Sequence, residues 1–350
     1  MNADGCLYIL GPIAANLLNG IIKSCNSCSY VAVQLKILHF RNMLYYIVYF
    51  LLVLASPLYF RRFTINKKRS KWDRKPVARL FAVNHSNSFV DPILIASNLP
   101  FPTWFLARGD ALAGPIGRFV ARNFYIMPVW RQREGTGNLK GNYDTFARCM
   151  EIWKTKGSVM IFAEGLCEND WRLKPLPKGT ARLVWQAWEQ GIELEIIPTG
   201  VNYEHFHGPG KQCEIRYGSP MDYADLLVNT TEARFYKQFN DRLFAHLQPL
   251  VIEAADENAA LTGFSEPNPR NSLGKCFRGI AKVFHAPLYW PIRSFFESKT
   301  AGTVHFDAAL FGSLLLVYPL FILLLAGIIG LLGGPWWLAA IWPLLAYLGR

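Results

Sequence analysis

The fold class predicted for the middle of this 350-residue chain is α/β, a mostly parallel sheet flanked by helices. Three observations predict it. Between residues 77 and 261, short apolar runs rich in β-formers alternate with longer helical patterns, which is the signature of strand–helix units. Apolar residues make up 51% of the chain but concentrate outside that stretch, at 43–60 and from 308 onward, so the middle has an ordinary globular composition. The length suits one sizeable α/β domain with accessory segments, and no internal repeat is apparent.

Taken in order, residues 1–42 read as an N-terminal extension that lacks the short apolar core and cleavage site of a signal peptide. Met43 opens an apolar run and would serve as a natural start. Residues 43–76 read as a membrane-associated helix and a basic linker. The run 43–60 sits at the lower limit of the roughly 17–25 residues needed to span a bilayer. Its tyrosines (Tyr45, Tyr46, Tyr49 and Tyr59) suit an interface, so a helix lying in one leaflet is expected. Arg61, Arg62, Lys67, Lys68 and Arg69 follow, where a juxtamembrane basic segment belongs.

The domain proper is placed at 77–261. Expected strands cover 78–84, 103–107, 125–129, 158–163, 194–203 and 212–217. Expected helices cover 91–98, 111–123, 138–156, 178–190 and a long stretch over 231–257. Residues 262–303, rich in Pro, Arg and aromatics, read as a linker or docking segment. Residues 304–350 read as a C-terminal hydrophobic helical hairpin. No residue from 308 to 349 is charged. The stretch 308–332 is long enough to cross, rising about 37 Å at ~1.5 Å per residue. Gly333-Gly334-Pro335 breaks it, and 336–348 is too short to cross alone.

The net charge of +12 is read as attraction to an anionic membrane surface and to anionic substrates. A basic nucleic-acid-binding protein is disfavoured by the apolar C-terminus. Seven scattered cysteines (Cys6, Cys25, Cys28, Cys149, Cys167, Cys213 and Cys276) form no disulfide framework. They read as reduced, so a membrane protein with its catalytic domain facing the cytosol is expected.

The strongest local feature is Val83-Asn84-His85-Ser86-Asn87-Ser88-Phe89-Val90-Asp91-Pro92, which follows a strand and opens a helix. A histidine at the C-terminal end of a strand faces the crevice where α/β sheets bind ligands. Asp91-Pro92 has the form of an N-cap with Pro at N1. The pair says more than either residue. A hydroxyl is a poor nucleophile until a base removes its proton, and imidazole suits that task. A carboxylate beside it fixes the tautomer and stabilises the imidazolium. Six residues do not share one helix face, so the chain must fold back to bring His85 onto Asp91.

Together with three later motifs, this pair resembles the glycerol-3-phosphate and lysophosphatidate acyltransferases. Most of that family has His-x4-Asp; the His-x5-Asp spacing here resembles a bacterial branch and the yeast-type glycerol-3-phosphate enzymes. Ile126-Met127-Pro128-Val129-Trp130-Arg131-Gln132-Arg133 resembles the second motif, whose arginine holds the substrate phosphate, and arginine's planar fork suits phosphate oxygens. Ile161-Phe162-Ala163-Glu164-Gly165 resembles the third, in which the glutamate helps position the acceptor and the glycine permits close approach. Ala163 stands where the family usually has Pro, and Leu166-Cys167 follows in place of the usual Ser or Thr. Lys178 adds a positive group or is a surface residue at a helix start. Ile196-Ile197-Pro198-Thr199-Gly200-Val201-Asn202-Tyr203 resembles the fourth motif, a strand that lines the acyl or acceptor pocket.

The resemblance covers about 120 residues, 84–203, and implies an O-acyltransferase of phospholipid biosynthesis. His85 and Asp91 would be catalytic, and Asn84, Arg131, Arg133, Glu164, Gly165 and Lys178 would bind substrate. The donor would be acyl-CoA or acyl carrier protein, and the acceptor a phosphate-bearing glycerolipid precursor. Backbone N–H groups at the helix after His85 would hold the oxyanion. No cofactor or metal is implied; His205 and His207 lack a third ligand. No GxxxxGK[ST] or GxGxxG run is present. Two alternatives use the same scaffold: transfer to another lysolipid or an amino-acid lipid, and a non-catalytic membrane lipid-binding protein.

Overall fold

The computed structural model describes residues 43–52, 55–56, 58–66, 76–130, 139–264, 272–300 and 302–348. Seven strands form one sheet: β1 (Phe60–Ile65), β2 (Arg79–Val83), β3 (Thr103–Arg108), β4 (Ile126–Val129), β5 (Ser158–Phe162), β6 (Glu195–Tyr203) and β7 (Lys211–Tyr217). Their spatial order is β1-β7-β6-β2-β5-β3-β4. β6, β2, β5, β3 and β4 are mutually parallel, and β7 runs antiparallel to β6. The sheet is therefore mostly parallel, as the alternating sequence pattern predicts.

β2 at the centre is buried throughout. Leu80 and Ala82 face one core and Phe81 and Val83 the other, the period-2 alternation of a strand covered on both sides. The first core is closed by α4 (Leu139–Lys154), α5 (Gly179–Glu189) and α6 (Glu232–Leu247), through residues such as Trp153, Leu183 and Phe239. The second is closed by α1 (Met43–Leu52), α2 (Val90–Ala96) and the start of α9 (Phe306–Leu331), through Leu52, Leu94 and Phe311. α3 (Gly114–Asn123) lies alongside, with Val120 against that core.

Three sequence expectations change. The extension 1–42 and residues 67–75 of the basic linker lie outside the described residues. The described residues of 43–59 are helical, but the basic segment that follows is not all linker: Phe60–Ile65 is an edge strand, paired in parallel with β7. Arg61 on this strand is engaged inside the domain, its guanidinium donating to Glu204 Oε2 at 2.7 Å. Asn66 clamps the far end, its side chain accepting from Tyr217 N at 2.9 Å and donating to Tyr217 O at 2.8 Å.

The long 231–257 helix stops at Leu247, because Pro249 follows in a 3₁₀ turn. A separate helix, α7 (Glu257–Gly263), starts where the Asp256 side chain caps Ala259 N at 2.9 Å.

The linker over 262–303 contains α8, Ser272–Thr300, with Pro287 and Pro291 inside it. Tertiary contacts hold it helical: His285 bonds the Tyr318 hydroxyl at 2.8 Å, and Phe284 packs edge-on against Trp342.

α9 is the one helix among the described residues that is long and apolar enough to cross a membrane. Phe306, Leu310, Phe311 and Leu315 are buried against the domain, while Leu320, Leu323, Leu324 and Leu331 are exposed. A Schellman turn ends it: Gly333, at φ +76°, donates to Gly330 O, and Gly334 to Ile329 O. The chain returns through a 3₁₀ turn, Trp336–Ala340, into α10 (Ile341–Leu348), as the Gly-Gly-Pro break predicts.

Candidate active site

Parallel strands put the C-terminal ends of β2, β5, β3 and β4 on one rim of the sheet. The motif residues leave from that rim. His85 follows β2 and Glu164 follows β5.

The chain after β2 turns back as the residue spacing requires. His85 Nδ1 lies 2.8 Å from Asp91 Oδ2. The same oxygen accepts from Ser86 N at 3.0 Å and Asn87 N at 2.9 Å, and Tyr203 donates its hydroxyl to Oδ1 at 2.7 Å. Asp91 is fully buried. Its carboxylate closes the loop backward rather than capping α2, whose N-cap is Phe89. Ser88 takes φ +43° at the bend, a left-handed position that is uncommon outside glycine.

The His85 ring stacks on Phe162 with centroids 3.9 Å apart and planes 20° apart. With Nδ1 held by Asp91 and one face covered, Nε2 is the nitrogen left for a substrate proton. Burial and the Asp91 carboxylate push the Tyr203 phenol well above its usual value, so it stays a donor.

Glu164 sits beneath His85 and is 5% exposed. Its two oxygens accept from His85 N at 3.3 Å and Lys174 N at 3.4 Å. Burial raises its carboxyl to about 8, against the pull of those two N–H groups. Gly165 takes φ +64°, where a side chain is strained, and a Cβ there would stand 3.1 Å from Pro177.

The remaining sequence-predicted residues divide. Asn84 is buried, with its amide paired both ways to β6: Val201 N donates to Oδ1 at 2.7 Å, and Nδ2 donates to Val201 O at 3.1 Å. It fixes the strand end that carries His85 rather than facing an open site. Lys178 is exposed at the N-cap of α5. Arg131 and Arg133 lie outside the described residues. The chain approaches them from Val129 on the His85 rim, and Asn142 pins Trp130 through both of its backbone polar groups, at 2.8 and 2.7 Å. The loop N–H groups expected to face an oxyanion are engaged elsewhere: Ser86 and Asn87 on Asp91, Ser88 on Cys167 Sγ at 3.0 Å, and Val90 on Asn87 O.

Sequence reasoning missed Tyr203 and Phe162 as partners of the His–Asp pair, although both lie inside quoted motifs. It also missed Asp307, which the structure buries against Asn87. The available signal was a lone acid at the head of a long uncharged run. Among the described residues, Cys149, Cys167 and Cys213 are free thiols, and burial raises Cys149 and Cys167 to about 12.

Residues 68–202 match the family model described as Acyltransferase. That segment holds β2 to β6 with His85, Asp91 and Glu164, so the chain carries an acyltransferase domain and the protein is an acyl-transferring enzyme. Among solved structures, the chain is similar to the crystal structure of the 1-acyl-sn-glycerophosphate (LPA) acyltransferase PlsC from Thermotoga maritima. The identity is 13% and the TM-score 0.37, over 54% of this chain and 72% of that one. Among curated proteins, nothing matches the chain.

Proposed function

We propose that the protein transfers a fatty acyl group from a thioester, acyl-CoA or acyl carrier protein, to a hydroxyl of glycerol-3-phosphate or lysophosphatidate. The observation that carries this reading is the 2.8 Å contact between His85 and a buried Asp91 within the acyltransferase match.

In this reading, Asp91 holds the His85 tautomer with hydrogen on Nδ1. Nε2 takes the proton from the acceptor hydroxyl as its oxygen attacks the thioester carbonyl. The tetrahedral adduct collapses, the C–S bond breaks, and the imidazolium returns the proton to the leaving thiolate. Arg131 and Arg133 hold the acceptor phosphate. Glu164 supports the backbone of His85 and, as a largely neutral carboxyl near neutral pH, leaves Asp91 as the charge beside the imidazole. The length and apolar composition of α9 support a site held at a lipid surface, where acceptor and product partition, and the free thiols fit a cytosolic face.

The test uses detergent-purified protein with radiolabelled palmitoyl-CoA or palmitoyl carrier protein and each acceptor in turn. Transfer to one acceptor that falls at least 100-fold in His85→Ala supports the reading. Arg131→Ala and Arg133→Ala should raise the acceptor KM more than they lower kcat. Transfer that survives His85→Ala sinks the proposed base. No transfer to either acceptor favours another lysolipid.

A further inference from the structure

The first turn of α9 carries a charge that the proposed chemistry does not use. Asp307 is 1% exposed, and its ion-pair partner Lys211, the first residue of β7, is fully buried. Asp307 Oδ1 accepts from the Tyr59 hydroxyl at 2.6 Å and from Gly208 N at 2.9 Å. Oδ2 accepts from Asn87 Nδ2 at 2.7 Å and from the Lys211 ammonium. That ammonium also stands 5.5 Å from the Tyr203 ring centroid and 5.7 Å from that of Tyr59. Beside this cluster, Ser88 Oγ lies 2.9 Å from His305 Nδ1. A buried carboxylate without partners costs several kcal/mol, so four donors from three separate segments are a built arrangement. An acid in the first turn of a helix also suits the helix dipole.

Two residues belong to this cluster and to the His85–Asp91 pair at once. Asn87 donates its backbone N–H to Asp91 and its side-chain N–H to Asp307. Tyr203 donates its hydroxyl to Asp91 and offers its ring to Lys211.

We propose that Asp307 is a positioning residue: the first turn of α9, tied to Lys211, locks loop 85–91 through Asn87, so the working geometry of His85 and Asp91 depends on α9 being docked against the domain. This rests on the reading of His85 and Asp91 as the catalytic pair. Membrane anchor and catalytic loop are then one mechanical unit, and loosening the anchor slows the chemistry.

The test separates positioning from mere attachment of α9, using the full chain in detergent. Lys211→Met with Asp307→Asn removes the buried charge pair, keeps an oxygen acceptor for the Tyr59 hydroxyl and Gly208 N, and sets an amide nitrogen against Asn87 Nδ2, which breaks the bridge. Asn87→Ala cuts the bridge and leaves the ion pair. Both should lower kcat at least tenfold, with both KM values within about threefold of wild type and the melting midpoint of the double variant within a few degrees. Hydrogen exchange supplies a readout that needs no activity. Amide exchange in peptides covering 84–91 should rise about tenfold in both variants, while peptides of β5 stay protected. Wild-type kcat in either variant, or unchanged exchange at 84–91, overturns the proposal. If His85→Ala keeps full activity, the catalytic reading fails, and exchange still decides whether α9 holds the loop.

Discussion

Glu164→Gln should flatten the dependence of folding stability on pH. Glu164 is buried with only two long backbone donors, and burial lifts its carboxyl from 4.5 to about 8. In the unfolded chain the group ionises near 4.5; in the folded chain it keeps its proton until about 8. Folding therefore takes up a proton between those values. The associated stability is fully present below pH 4.5, falls as pH rises, and is gone above about 8. At roughly 1.4 kcal/mol per pH unit, the full loss is on the order of 5 kcal/mol, a large share of a domain's net stability. Asp110, Asp170 and Asp225 act in the opposite sense, but their pKa values are lowered, so they act at more acidic pH. Urea unfolding of detergent-solubilised wild type and Glu164→Gln from pH 5 to 9 isolates the Glu164 contribution as the difference between the two. The stability of the wild type relative to Glu164→Gln should fall steadily from pH 5 to about 8, because His205, whose lowered pKa acts in the opposite sense, contributes equally to both proteins. Equal slopes in the two proteins, or a wild type that gains stability over this range relative to the variant, would refute the reasoning.

Two further outcomes follow from single contacts. Tyr203→Phe removes the 2.7 Å donor from the buried Asp91 carboxylate, and should cost about 1.5–3 kcal/mol of stability and lower kcat more than it raises KM, measured by denaturant unfolding beside initial rates. Gly200→Ala puts a Cβ 2.3 Å from Leu250 O, a backbone atom that cannot swing aside, so a loss of about 1–3 kcal/mol or more is expected in the same unfolding assay.

The parts of the fold legible in the sequence are those set by local periodicity. β2 and β5 are apolar after their first residue and largely covered on both faces, and β6 opens on Ile196-Ile197, so their positions follow from short apolar runs. β1 is legible only through its partner. Its arginines and part-buried pattern make it a strand because β7 pairs with it, more than 140 residues later in the chain. α8 hides for a related reason. Its two prolines argue locally against a helix, and contacts such as His285 with Tyr318 overrule them. In the site, the His85–Asp91 contact was legible because six residues can close only one way. The partners that complete it, Tyr203 and Asn87, act through side-chain directions that spacing does not encode.

Asp91, Asp307 and Glu164 are all buried, and their hydrogen-bond partners differ. Asp91 receives four donors, among them the His85 ring. Asp307 also receives four, among them an ammonium. Glu164 receives two, both longer than 3.2 Å, and its acidity weakens accordingly. Burial, opposed only by those two donors, lets Glu164 keep its proton up to about 8. In the proposed reaction, a base at His85 needs one negative neighbour to stabilise the imidazolium, and a second charge beside it would hold the proton too firmly to return it to a leaving thiolate. A protonated Glu164 meets that requirement while still bracing the His85 backbone. Exchanging it for glutamine should therefore spare kcat near neutral pH far better than exchanging it for alanine, and equal losses in the two variants would count against a purely bracing role.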